Sequence, residues 1–238
     1  MIKLLQFVRR KPALTPEQFQ SAWRDGQRKF FADTPRAREL VVRGELNHRI
    51  PEDYVRSRQD GEFESPDWDG VVAYWFANEA DHDALRQLPA FIEFSARECA
   101  QYRVEKTAAV LAGDERIVVD RPGGRARAGL KLLCILRRNA KLERPHFLKH
   151  WREHHGGLFT DVPSLNGPVL AYDQNHGLRD DEYDGITEQW FVSLPEWIES
   201  LGVPENFELV EPDVAYMLDP TSVQFILAGG QPTVVVAR

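Results

Sequence analysis

The 238-residue sequence has only two cysteines, Cys99 and Cys134, and they form no Cys-x-x-Cys pair. That is too few for a disulfide framework, so a folded chain must rely on its hydrophobic core. No HExxH pattern and no Cys/His ligand spacing is present, and the expectation is that no metal is bound. Long apolar runs are also missing, and none approaches the roughly 20 residues that span a bilayer. The opening MIKLLQFVRR carries its charges after a very short apolar run, unlike a secretory signal, so a cytoplasmic setting is expected. Basic charge is in deficit, with 30 Lys and Arg against 37 Asp and Glu and a net charge of -7. A nucleic-acid binder would show the opposite balance. The pairs Arg9-Arg10 and Arg137-Arg138 read as solvated strand ends. Neither nucleic acid nor membrane is an expected partner.

What the sequence does have is itself, twice. Residues 2–35 and 130–163 align at a constant offset of 128 without a gap, and 12 of the 34 positions are identical. Arg9/Arg137, Phe19/Phe147, Trp23/Trp151 and Asp33/Asp161 are among them. The dipeptide Asn-His then recurs at 47–48 and 175–176. DWDGVVAYWF (67–76) matches EYDGITEQWF (182–191), and VLAGDERIVV (110–119) matches ILAGGQPTVV (226–235). Conserved order makes this a duplication, with a first unit at 1–119, a Gly/Arg/Pro linker at 120–129 and a second unit at 130–238.

Each copy reads as strand, helix, strand, strand, helix, strand. KLLQFV is short and apolar. LTPEQFQSAWRD then starts a helix, with Thr15 as N-cap, Pro16 in the first turn and Gln18 closing a capping box. Phe19, Trp23 and Phe30 form its apolar stripe. VVRGELNH, GVVAYWF and KTAAVLAG read as strands. NEADHDALRQL reads as the second helix, and Ser193 with Glu196 gives the second copy its own capping box. The order βαββαβ predicts the α+β, ferredoxin-like class, with an antiparallel sheet covered by helices on one face. Two tandem units can pack sheet to sheet as an intramolecular α+β barrel, a pseudo-dimer that could pair again as a homodimer. Copy one has a longer loop after His48, containing PEDYVRSRQDGEFESP. It is expected to lie at the surface, where it could cover a pocket.

The strand-Arg-Arg start, FLKHWREHHGGL, YDQNH and YDGITEQWF together resemble the EthD family of the dimeric α+β barrel superfamily, over nearly all of both copies. The family pattern of an aromatic residue followed four positions later by His and a small residue falls on Trp151, His155 and Gly156. The resemblance implies a cavity between helices and sheet in each unit. Relatives include cofactor-free dehydratases, cyclases, isomerases and monooxygenases of aromatic or polyketide-like compounds, and more distant members bind haem through a helix histidine. Fold alone does not choose among these.

Copy one has Gln27 and Gly26 where copy two has His155 and His154, and Ala73 where copy two has Glu188. Glutamine cannot exchange protons near neutral pH, whereas histidine can. Copy two is therefore the expected active half and copy one a degenerate one. On a regular helix Phe147, Trp151 and His155 share the buried stripe, so His155 is either a core histidine bonded to a carbonyl or a pocket acid/base. His146, His150 and His154 form a second row, expected on a solvated flank, with His154 at the pocket mouth. In GITEQWF, Glu188 shares a face with Ile186 and Trp190 by strand alternation. It is either a partner of His155 or the acid of a salt bridge to an arginine such as Arg137. Tyr172, Gln174 and His176 share a face of the preceding strand. Tyr172 could donate to a substrate oxygen, and His176 has either a site role or a turn role common to both copies.

These residues and the resemblance together imply a cofactor-independent lyase or isomerase acting on a small hydrophobic molecule, aromatic or polyketide-like and oxygenated, as in aromatic catabolism. His155, Glu188 and His176 are its catalytic candidates, and Tyr172, His154, Trp151 and Trp190 its substrate-binding candidates. The alternatives are a haem protein with His155 as axial ligand, and a non-enzymatic carrier of a small ligand.

Overall fold

The computed structural model describes residues 1–59, 68–219 and 221–238. Copy one supplies β1 (Ile2–Val8), α1 (Pro16–Asp33), α2 (Pro35–Leu40), β2 (Val41–His48), α3 (Pro51–Gln59), β3 (Gly70–Phe76), α4 (Glu79–Gln87), α5 (Pro89–Gln101) and β4 (Ala108–Asp120). A short helix, α6 (Gly124–Arg127), precedes copy two. Copy two supplies β5 (Leu130–Leu136), α7 (Arg144–His150), α8 (Gly156–Asp161), α9 (Pro163–Asn166), β6 (Ala171–Gly177), β7 (Gly185–Phe191), α10 (Leu194–Leu201), α11 (Glu211–Met217), β8 (Gln224–Gly229) and β9 (Thr233–Ala237). The chain is α+β and divides into two compact units, each with the βαββαβ order read from the repeat.

Unit 1 comprises Met1–Arg49, Asp67–Leu111 and Pro232–Arg238. Its strands lie in the order β4-β1-β3-β2-β9. The β1/β3, β2/β3 and β2/β9 pairs are antiparallel. The Thr15 cap forms as its sequence predicts, with Gln18 N–H donating to Thr15 Oγ1 and Thr15 N–H to Gln18 Oε1. The helix it starts buries Phe19, Trp23, Phe30 and Phe31 against the sheet, alongside Leu46, Val72 and Phe76.

Unit 2 comprises Ile50–Pro66 and Ala112–Gln231, with strand order β8-β5-β7-β6-β4. Each copy thus gives its last stretch of strand to the sheet that its sequence neighbour builds. The loop inserted in copy one is not wholly irregular, because its beginning is helix α3 in unit 2. Ile50 N–H donates to Leu227 O, and Leu227 N–H donates to an Asp53 carboxylate oxygen on that helix. The remainder of that insertion, 60–67, lies outside the described residues. The 120–129 stretch is also more than a linker. Its Arg125 grips Asp173 with two hydrogen bonds of 2.7 Å and lies 4.3 Å over the Trp190 ring.

The repeated Asp-Gly has a structural origin. Asp69 and Asp184 accept the backbone N–H of Arg10 and Arg138, each at 2.8 Å, and pair with the same guanidinium groups. The following glycine lets a tryptophan close on the strand. A Cβ on Gly70 would meet Trp23 at 2.6 Å, and one on Gly185 would meet Trp151 at 2.3 Å. Both trios, Arg-Asp, Gly and Trp, tie the first helix of a unit to its third strand.

Among the described residues, no helix is long and apolar enough to cross a membrane.

Candidate active site in the second unit

The helix that carries the histidine cluster departs from its counterpart. In unit 1, α1 runs unbroken as an α-helix over 18 residues. In unit 2 a π-helical turn, Trp151–His155, sits between α7 and α8, and Gly156 N–H bonds back to Trp151 O. A π-turn widens the helix by one residue and re-aims the side chains around it, and such turns are frequent at functional sites. A second π-turn, Asn206–Val210, leads into α11.

These two segments bring together residues 58 positions apart. His155 Nδ1 lies 2.7 Å from Asp213 Oδ2, and both residues are buried. The opposite oxygen, Oδ1, is bonded to His150 Nε2 and lies 3.5 Å from His154 Nε2. Burial pushes the Asp213 carboxyl up, but hydrogen bonds from His155 and His150 outweigh this and hold it below the usual aspartate value. Asp213 is therefore an anion at neutral pH. An anionic acceptor requires the donor on His155 to be Nδ1–H, which leaves Nε2 as the basic nitrogen.

His155 lines an apolar cavity of about 210 Å³. Leu132, Phe159, Trp197 and Phe225 form much of its wall, and Thr187 and Gln189 project into it from β7. Cys134 is in the wall too, and burial pushes its thiol up to about 12, so it is not a nucleophile at neutral pH. An apolar cavity with a few convergent polar groups is the general form of a small-molecule site.

Of the residues singled out from sequence, His155 alone lines this cavity. Strand alternation sends Glu188 to the opposite face of β7 from Thr187 and Gln189. There it pairs with Lys131 at 2.6 Å, not with His155 and not with Arg137, and it accepts from Asn175 Nδ2 at 3.0 Å. Arg137 is bonded to Asp219. Trp190 shares the face of Glu188, with Lys131 4.5 Å from its ring centroid. Trp151 is fully buried and stacks on Phe147 and His176. His176 is held by that stacking, 4.5 Å between ring centroids, and burial together with Arg152, Arg116 and Arg144 lowers it to about 4. His48 meets the Trp23 ring edge-on in unit 1, with centroids 5.4 Å apart and planes at 89°, and is also lowered to about 4, chiefly by burial. Tyr172 is buried beneath Phe159, with burial pushing its phenol up to about 12 and Gln174 donating to its oxygen. The row His146, His150 and His154 is not simply a solvated flank. His146 bonds Tyr216 Oη at 3.0 Å and His150 reaches Asp213, whereas His154 keeps 60% of its side chain exposed.

Asp213 is the residue of this candidate site that the sequence did not single out. Its signal lies in the repeat. Aligning PAFIEFSARECAQYR (89–103) with PENFELVEPDVAYML (204–218) puts Glu98 opposite Asp213. In unit 1, Gln27 Nε2, the counterpart of the His155 nitrogen, donates to Glu98 Oε1 at 3.0 Å. Tyr102 Oη donates to the same oxygen at 2.8 Å, Arg103 Nε donates to Oε2 at 3.1 Å, and Tyr74 Oη donates to Gln27. Burial pushes the Glu98 carboxyl up, with Arg103 working against it. Unit 1 keeps a cavity of about 360 Å³ beside these groups; an amide stands where unit 2 has the His155 imidazole, and the imidazole that lines this cavity, His82, comes from α4 and bonds Asp83 Oδ1 at 2.9 Å.

The residues around His155 do not suit haem. The cavity is below the roughly 300–1,000 Å³ typical of sites for drug-sized ligands. Among the described residues, no Lys or Arg lines it to meet two propionates.

The family model for the EthD domain matches residues 11–101 and 139–221. Among solved structures, an anthrone oxidase-like protein superposes with a TM-score of 0.61 at 9% identity, over 98% of this chain and 92% of that one. A protein of Fusobacterium nucleatum provisionally named a monooxygenase gives 0.55 at 8% identity, over 98% and 91%. A mutant chlorite dismutase from Candidatus Nitrospira defluvii gives 0.52 at 11%, over 98% and 92%. These likenesses are of fold. No curated protein matches the sequence.

Proposed function

The chain belongs to the EthD family, and from that premise we propose that unit 2 is a cofactor-independent acid–base enzyme, a lyase or isomerase of oxygenated aromatic molecules. The observation that carries this reading is the buried His155–Asp213 pair on the wall of an apolar cavity. The cavity volume suits one or two rings, since a cavity of about 150 Å³ takes up benzene. Phe159, Trp197 and Phe225 would hold the ring system. Thr187 and Gln189 would donate to a carbonyl or phenolic oxygen and polarise it.

His155 Nε2 would then remove a proton from the carbon next to that carbonyl. Asp213 stabilises the imidazolium that forms and keeps the ring in the tautomer with Nε2 as base. The imidazolium returns its proton either to a departing hydroxyl, which leaves as water, or to a different carbon. The first outcome is a dehydration and the second an isomerisation, and neither changes the oxidation level of the whole. In this scheme Asp213 takes the place expected for Glu188. His176, Trp151 and Trp190 support the fold around the site.

The test is a screen of one- and two-ring hydroxy ketones and phenols for water loss or isomerisation, run with the intact protein and with His155→Ala. The expected result is turnover that falls by about 10²- to 10⁴-fold in the variant, the range of a general base. A compound that binds the cavity and is left unchanged by both proteins would favour a carrier instead.

A further inference from the structure

Three imidazoles surround the one carboxylate of Asp213, and only His155 is needed for the proposed chemistry. The other two, His150 and His154, are four residues apart on the same stretch of helix. Their ring nitrogens and an Asp213 oxygen all lie within 4.8 Å of one another. We infer that His150, His154 and Asp213 form a binding site for one divalent transition-metal ion of the zinc class. This inference does not rest on the acid–base reading.

The donor set is the first argument. Two imidazole nitrogens and one carboxylate oxygen suit zinc, cobalt or ferrous iron, and leave further positions open for water or another ligand. Bonds of about 2.0–2.2 Å at tetrahedral angles set donor atoms about 3.3 Å apart, so His150 Nε2 must draw back from Asp213 Oδ1, while His154 Nε2, 3.5 Å from that oxygen, needs only a modest rotation toward His150. His154 is free to make it, with 60% of its side chain exposed and its ring centroid 4.7 Å from that of His150. His150 is already fixed toward Asp213 Oδ1.

The support around the set is the second argument. His155 Nδ1–H donates to Asp213 Oδ2, the oxygen that faces away from His150 and His154. A ligating carboxylate held through its second oxygen is the usual arrangement at protein metal sites. Among the described residues, the charge partners of Asp213 are histidines and no Lys or Arg, so no permanently charged side chain stands where an ion would bind. The other carboxylate cluster in this unit differs on that point. Glu115, Asp173 and Glu188 also converge, but Arg125 and Lys131 already neutralise two of them.

The duplication supplies an internal comparison. Unit 1 has Ala22 and Gly26 at the positions of His150 and His154, and keeps only the acid, as Glu98. Unit 1 also lacks the π-turn. The nitrogen donors and the helical distortion that displays them occur together, in unit 2.

The probe is cobalt(II), added to the dialysed full-length protein and followed by its visible absorbance, with zinc(II) added afterwards as competitor. The expected result is one equivalent of cobalt bound and then displaced by zinc. His154→Ala, a change at an exposed side chain, weakens binding at least tenfold. His150→Ala with His154→Ala abolishes it, while His146→Ala leaves it unchanged. Circular dichroism confirms that each variant is folded. Absence of saturable binding to the unmodified protein would overturn the inference. So would stoichiometric binding that survives loss of both histidines.

Discussion

His155 donates its Nδ1–H to Asp213 across 58 residues of sequence, at 2.7 Å and out of solvent. The pair couples a helix of the first βαβ half of the unit to a helix of its second half. Its geometry makes one nitrogen of the ring a donor and frees the other as a base.

If Asp213 sets the tautomer and balances the imidazolium, Asp213→Asn should cost catalysis more than binding. The expected loss in kcat is about 10²-fold or more, within the range of a positioned base, with KM little changed. Steady-state kinetics on any substrate found in the screen will show the split. An effect confined to KM would point to a role in substrate binding instead.

Glu188 is predicted to matter for stability and not for the chemical step. It and Lys131 are both almost completely buried and 2.6 Å apart. Removing one partner strands the other charge in the interior, at a cost of about 3–5 kcal/mol. Lys131→Met should therefore unfold at much lower urea concentration. Lys131→Met with Glu188→Leu, which removes both charges, should recover most of the loss. If the double variant is as unstable as the single one, the ion pair is not the origin of the effect.

The two histidines packed against tryptophan rings predict an acid-sensitive fold. His48 and His176 are lowered to about 4, whereas an unfolded histidine titrates near 6.5. As pH falls from 6.5 to 4 the unfolded chain takes up protons that the folded chain refuses. Stability is then complete above pH 6.5 and is lost on acidification, by about 2 kcal/mol per histidine between pH 7 and pH 5. Urea unfolding at the two pH values measures this. His176→Gln should be less stable at pH 7 but should lose less on going to pH 5.

Gly185→Ala should be destabilising without touching the cavity. The added methyl would stand 2.3 Å from the Trp151 ring. Overpacking of this kind costs about 1–3 kcal/mol. Thermal unfolding should show the drop, and the same change at Gly70, facing Trp23, should repeat it in unit 1. A normal melting temperature in both variants would mean that the tryptophans are not locked to these strands.

The fold was readable because the chain states it twice. Conserved order across Phe19/Phe147, Trp23/Trp151 and Asp-Gly fixed the element order, and Thr15 with Gln18 marked a helix start to the residue. The site was less readable. His155 could be picked out because copy one has Gln27 there. Glu188 misled because alternation along β7 shows which residues share a face but not which face meets the cavity. Lys131, its partner, is hidden on a neighbouring strand. Asp213 lies in the least similar part of the repeat, where helix lengths differ and the offset is 115, changed from 128 by the loop after His48. The π-turn has no local signature that regular helical periodicity would reveal.

The central claim is that His155 moves protons in the unit 2 cavity. Its most direct test is proton NMR of one- and two-ring aromatic ketones incubated in heavy water with the protein. The account predicts that at least one ketone exchanges its α-hydrogens faster with the unmodified protein and not with His155→Ala. A ketone that quenches tryptophan fluorescence on binding, yet exchanges at the same rate with both proteins, would contradict it.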